Sequence, residues 1–129
     1  MAEAIRAIAI LELVTGVGLI LFWVGFFTIG LAPKNPPKGY LEYEHSFPLP
    51  DGLLAVLLLV AGTLLLLNNS LGGNLSLIAA GALIFLGVLD FSFNIRNGIY
   101  KISKSDLILN AFINLWCVGF GVAVAMIVG

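Results

Sequence analysis

Charge is scarce in this chain: only 10% of its 129 residues are Asp, Glu, Lys or Arg, against about 25% in soluble domains. With 60% hydrophobic positions, that deficit excludes an ordinary soluble fold and points to a membrane protein. Cysteine occurs once, as Cys117, so no internal disulfide can form; in an apolar helix a lone thiol packs as a small hydrophobe. Histidine also occurs once, whereas a zinc site needs three or four N, S or O ligands with regular His or Cys spacing. No metal or cofactor is therefore expected. Nucleophile motifs and phosphate-binding glycine loops are missing too, and nothing points to nucleic acid.

What the chain does have is long apolar runs. Crossing a hydrocarbon core of about 30 Å takes roughly 20 helical residues, and four stretches suffice: 5–31, 52–70, 75–95 and 106–128. No residue between Asp51 and Asp90 is charged. That interval is too long for one span, so NNSLGGN (68–74) is expected to turn the chain between two. The expected fold is all-α: one integral-membrane four-helix bundle, loops 32–50 and 96–105 at one face and both termini at the other. LAP at 31–33 fits a signal cleavage site only loosely, and the first run lacks a basic leading region, so it reads as a retained helix.

Lys and Arg near helix ends favour the cytoplasmic side. Arg6 stands alone on the face of the termini, while Lys34, Lys38, Arg96, Lys101 and Lys104 lie on the face of the two loops. Five against one puts both termini outside and the loops in the cytoplasm. The expected location is the plasma membrane, as a multi-pass protein.

Polar side chains in hydrocarbon are costly unless they face protein or water, so their helical phase is informative. Ser76, Ala80, Leu83, Gly87, Asp90 and Asn94 share one stripe of the third span; Asn110, Asn114, Cys117, Gly121 and Ala125 share one on the fourth. These spans are antiparallel neighbours, so Asp90, Asn94, Asn110 and Asn114 are expected at one depth, with Asp90 in reach of an amide. Asn side chains can simply join helices through hydrogen bonds, but an embedded carboxylate is a functional candidate by default. Arg96 is its nearest cationic candidate. Glu12, on the order of 10 Å inside the first span at 1.5 Å per residue, is the second embedded acid and a candidate proton carrier, unless the helix starts later and leaves it interfacial.

The stretch LEYEHSFPLPDGLL (41–54) gathers acids, the histidine and prolines. Asp51, after Pro-Leu-Pro, reads as the N-cap of the second span, and Tyr40, Tyr43 and Phe47 as an interfacial belt. Glu44, His45 and Asp51 form a candidate cytoplasmic mouth, where His45 could hand protons to Glu44 or Asp90.

ILELVTGVGLILFW (10–23), an acid within the first of four short helices, resembles the small multidrug resistance transporters. In that family a glutamate on helix one, shared across an antiparallel dimer, alternately binds protons and cationic substrates; only Glu12 carries over. The chain departs from the family in its long acidic first loop, its third helix without a Trp-containing motif and its strong Lys/Arg bias. Two embedded acids in four helices also look like the sterol-isomerase-like membrane family, with no positions that align. Neither likeness assigns membership.

The expected function is a small-molecule or ion- or proton-coupled transporter, or a ligand-binding membrane protein. Glu12, Asp90, Asn94, Asn110 and Asn114 would hold a small cation or a lipid-like ligand. One alternative is a non-catalytic accessory or structural subunit of a membrane complex. Another is a membrane-embedded enzyme on a lipid-like substrate, using His45, Glu44 and Asp90 as acid–base groups. The expected partners are the lipid bilayer and a second copy or a larger membrane complex.

Overall fold

The computed structural model describes residues 2–129. In chain order it holds α1 (Ala2–Thr28), the short α2 (Tyr40–Glu44), α3 (Pro48–Leu66), α4 (Ser70–Arg96), a 3-10 turn (Ile99–Lys101) and α5 (Lys104–Val128), with no strand among the described residues. Four helices are long and apolar enough to cross a membrane, and they form an all-α bundle. The chain is a multi-pass membrane protein.

The reversals follow from local chemistry. At the first tight turn Asn68 takes a left-handed conformation (φ 56°), tolerable for a short polar side chain. Asn69 then caps α4 by accepting a hydrogen bond from the Leu71 amide (2.9 Å). The turn is thus shorter than 68–74, because Gly72 is a packing residue inside α4: a Cβ there would lie 2.7 Å from the Leu65 nitrogen. Ser103 caps α5 by accepting from the Asp106 amide (3.1 Å). The start of α3 differs from expectation. Phe47 is its N-cap and Pro48 its first residue, where proline's missing N–H and fixed φ are favourable. Asp51 therefore lies within the first turn, and its carboxylate is free for other partners.

α1 packs on α3, α3 on α4 and α4 on α5, while α1 and α5 touch only sparsely. Close approach of α1 and α3 depends on Gly62, where a Cβ would stand 2.7 Å from the Ala9 carbonyl oxygen; small residues serve this purpose when no hydrophobic force joins helices in lipid. The main core is Ile8, Leu54, Leu58, Ala79, Ala80, Leu83, Phe120 and Val124. A second cluster, Trp23, Phe26, Tyr40 and Ile99, ties the loops to the bundle. Tyr43 stacks flat on Phe93 of α4 (3.7 Å between centroids, 3°). Tyr40 and Tyr43 thus pack as a cap over the loop end of the bundle.

The antiparallel packing sets both termini and the 67–69 turn at one end. If the loop end is cytoplasmic, as the Lys/Arg bias proposes, single cysteines report it. In a Cys117→Ser background, Leu67→Cys should react with an impermeant thiol reagent in intact cells and Lys101→Cys should not. Both positions are exposed. The reverse labelling pattern inverts the orientation.

Candidate functional site

A cavity of about 420 Å³ runs between α1, α3, α4 and α5. Its body is apolar, with Leu19, Phe22, Leu54, Leu83, Leu86 and Ile113 in the walls. At the loop end three carboxyls, Glu44, Asp51 and Asp90, belong to its lining, and no Lys or Arg does.

Each carboxyl is held differently. Asp90 accepts a hydrogen bond from the Asn114 amide (2.7 Å) and a longer one from Asn94 (3.4 Å). Asn94 also donates to the Asn114 carbonyl oxygen (3.1 Å), which the Tyr100 hydroxyl reaches as well. Asn114 is 3% exposed and is the hub joining α4, α5 and the 3-10 turn. Asp51 accepts from the indole nitrogen of Trp23 (2.8 Å), a bond between α3 and α1 that its place inside the helix makes geometrically available. Glu44 comes from α2, folded back over the bundle. It is 8% exposed, and its side chain has no hydrogen-bond partner among the described residues. Neither of its oxygens is among the fully buried unpartnered atoms, and the residue belongs to the cavity lining.

The other sequence-derived candidates fall elsewhere. Asn110 lines the cavity, but its amide donates to the Asp106 carbonyl one turn earlier (2.9 Å). Arg96 is exposed and takes no part. Glu12 is buried within the bundle, at 0% exposure, yet it stands outside the cavity lining: Ser76 donates to one carboxyl oxygen (3.1 Å) and the other is unpartnered. His45 is exposed, stacked on Phe27 (5.7 Å) and outside the cavity lining, so the cavity does not bring His45 together with Glu44 and Asp90. Among the described residues no group of three or more His, Cys, Asp or Glu is arranged to hold a metal ion.

Several cavity residues were not singled out from the sequence as site residues. Trp23 and Trp116, the chain's two tryptophans, both line it, as does Thr15. Trp116 donates its indole N–H to the Thr15 hydroxyl (3.0 Å), joining α5 to α1. A tryptophan deep in a span, away from both interfaces where the residue is usual, was the available signal. Comparison with protein-family models, curated proteins and solved structures finds no match to this chain.

Proposed function

We propose that the protein binds a small organic cation inside its bundle, as a ligand-binding protein or the recognition step of a transporter. One observation carries this reading: three carboxyls line one end of a mainly apolar cavity whose lining contains no basic residue. Carboxylates removed from water demand a cation or protons as compensation. An apolar body attached to an ammonium group matches both halves of the space, and aromatic faces such as Trp23 add cation–π attraction.

Hexylamine titrated into the protein in lipid nanodiscs should shift tryptophan emission saturably, since Trp23 and Trp116 both border the cavity. Hexanol, with the same tail and no charge, should not. Uptake of the amine into proteoliposomes then separates transport from binding. The accessory-subunit reading has its own supporting observation, because Asp90, Asn94 and Asn114 hydrogen-bond one another and such a network can serve to join helices. Equal responses to amine and alcohol, or none to either, favour that second reading.

A further inference from the structure

The cavity extends along α1. Trp23, beside the carboxyls, and Thr15, at the far end, are eight residues apart, or about 12 Å at the helical rise. Its side is open between α1 and α5. Val14 (58% exposed), Gly18 and Phe112 (64% exposed) line it and yet face the exterior, so the space reaches the surface between α1 and α5. This is also where the two helices touch sparsely. Among the described residues, the bond from Trp116 to Thr15 is the one side-chain hydrogen bond across the seam. Gly18 lies ten residues before the end of α1, about 15 Å deep and so near the middle of a hydrocarbon core of about 30 Å. At that depth a bundle that crosses the bilayer is surrounded by lipid tails.

The loop end carries a roof over part of the cavity. Leu31, Tyr40 and Phe47 line the loop end of the cavity, and the stack of Tyr43 on Phe93 fixes α2 above it. Glu44, more than nine-tenths buried and unpartnered, belongs to this roof and contributes to the lining. A volume of about 420 Å³ lies toward the small end of ligand sites, which span roughly 300–1,000 Å³, and suits one chain better than the paired tails of a bilayer lipid.

We infer that the ligand is a single-chain amphiphile with a cationic head, which reaches Glu44, Asp51 and Asp90 from the bilayer through the seam between α1 and α5 and leaves its tail running past Trp116 toward the lipid. This rests on the organic-cation reading above. The occupant is chosen by charge at one end and by solvent at the other: at the depth of Gly18 the membrane supplies the molecules, and a cationic head compensates three acids that have no basic neighbour in the lining.

The test uses the full chain in phosphatidylcholine nanodiscs, with amine amounts expressed per lipid. The probes are hexylamine, octadecylamine, octadecylamine brominated at mid-chain, and the equally brominated alcohol. Bromine quenches tryptophan on contact. The brominated amine should quench wild-type fluorescence saturably and be displaced by unlabelled octadecylamine, and most of that quenching should vanish in Trp116→Phe. Octadecylamine should bind at least as tightly as hexylamine, although its tail is too long for a space of about 12 Å. If lengthening the tail weakens binding by about tenfold or more while hexylamine still binds, the cavity is closed on its side and this inference fails, leaving the organic-cation reading intact. Unchanged quenching in Trp116→Phe also overturns the route past Trp116. If no amine of either length binds, or the brominated alcohol quenches as well as the amine, the organic-cation reading itself fails.

Discussion

Asp90→Asn should weaken hexylamine binding by about tenfold to a hundredfold, the range expected for losing one charged hydrogen-bond partner, while leaving the bundle folded. Asparagine keeps the shape of the side chain. Its carbonyl oxygen can still accept from Asn114, now 2.7 Å from the carboxylate, so the joint between α4 and α5 persists. What changes is charge, and with it the pull on a cation. Amine titration by tryptophan emission, run beside a thermal denaturation curve, checks both halves. A stability loss with unaltered binding would make Asp90 a structural residue and leave Glu44 and Asp51 as the recognition pair.

The largest effect on stability is expected from Asn114→Leu. The substitution removes the donor to Asp90 and the acceptor that Asn94 and Tyr100 share. Three partners lose a bond at a position that is 3% exposed. A buried polar group left unpaired costs about 1–3 kcal/mol, and hydrogen bonds between membrane helices average about 0.6 kcal/mol because lost partners are often replaced. A total near 2 kcal/mol is the expected outcome, read from unfolding in mixed micelles. Asn110→Leu is the matched comparison, with a loss of about 0.5 kcal/mol at most, since the Asn110 amide serves only a carbonyl of its own helix. Equal losses at the two positions would mean that the hub assignment is wrong.

The four spans and the polar stripe of α4 were legible because a bilayer imposes both: length sets the helices, and helical phase sets which polar residues meet. Ser76, Ala80, Leu83, Gly87 and Asn94 of that stripe are all buried, and Asp90 lies beside Asn114 as the shared depth required. Other features depend on tertiary structure. Gly72 carried the composition of a turn, while its actual role is a backbone contact with Leu65. Glu44 was a candidate for the mouth, but that it and Asp51 line the cavity while His45 does not depends on how α2 packs on the bundle. The wall formed by Leu109, Ile113 and Trp116 was hidden for a different reason. An apolar stripe that faces a cavity has the same composition as one that faces lipid. Glu12 illustrates the converse: its helical phase and its distance along the bundle from Asp90 were readable, while its partner Ser76 and its place outside the cavity lining depend on packing.

The sparse contact between α1 and α5 also bears on how the molecule comes together. Each extensive interface joins spans that follow one another along the chain: α1 with α3, α3 with α4, α4 with α5. A helix emerging from the ribosome therefore finds its main partner already in the membrane, and no early span waits for a late one. Such neighbour-to-neighbour contact favours rapid assembly, because little chain has to be looped out before an interface forms. The bundle grows as a folded row, hairpin upon hairpin, and its first and last members meet only after synthesis of α5, through Thr15 and Trp116. That final meeting adds little to what already holds the row together, so the chain can be complete in the membrane before its last seam has closed.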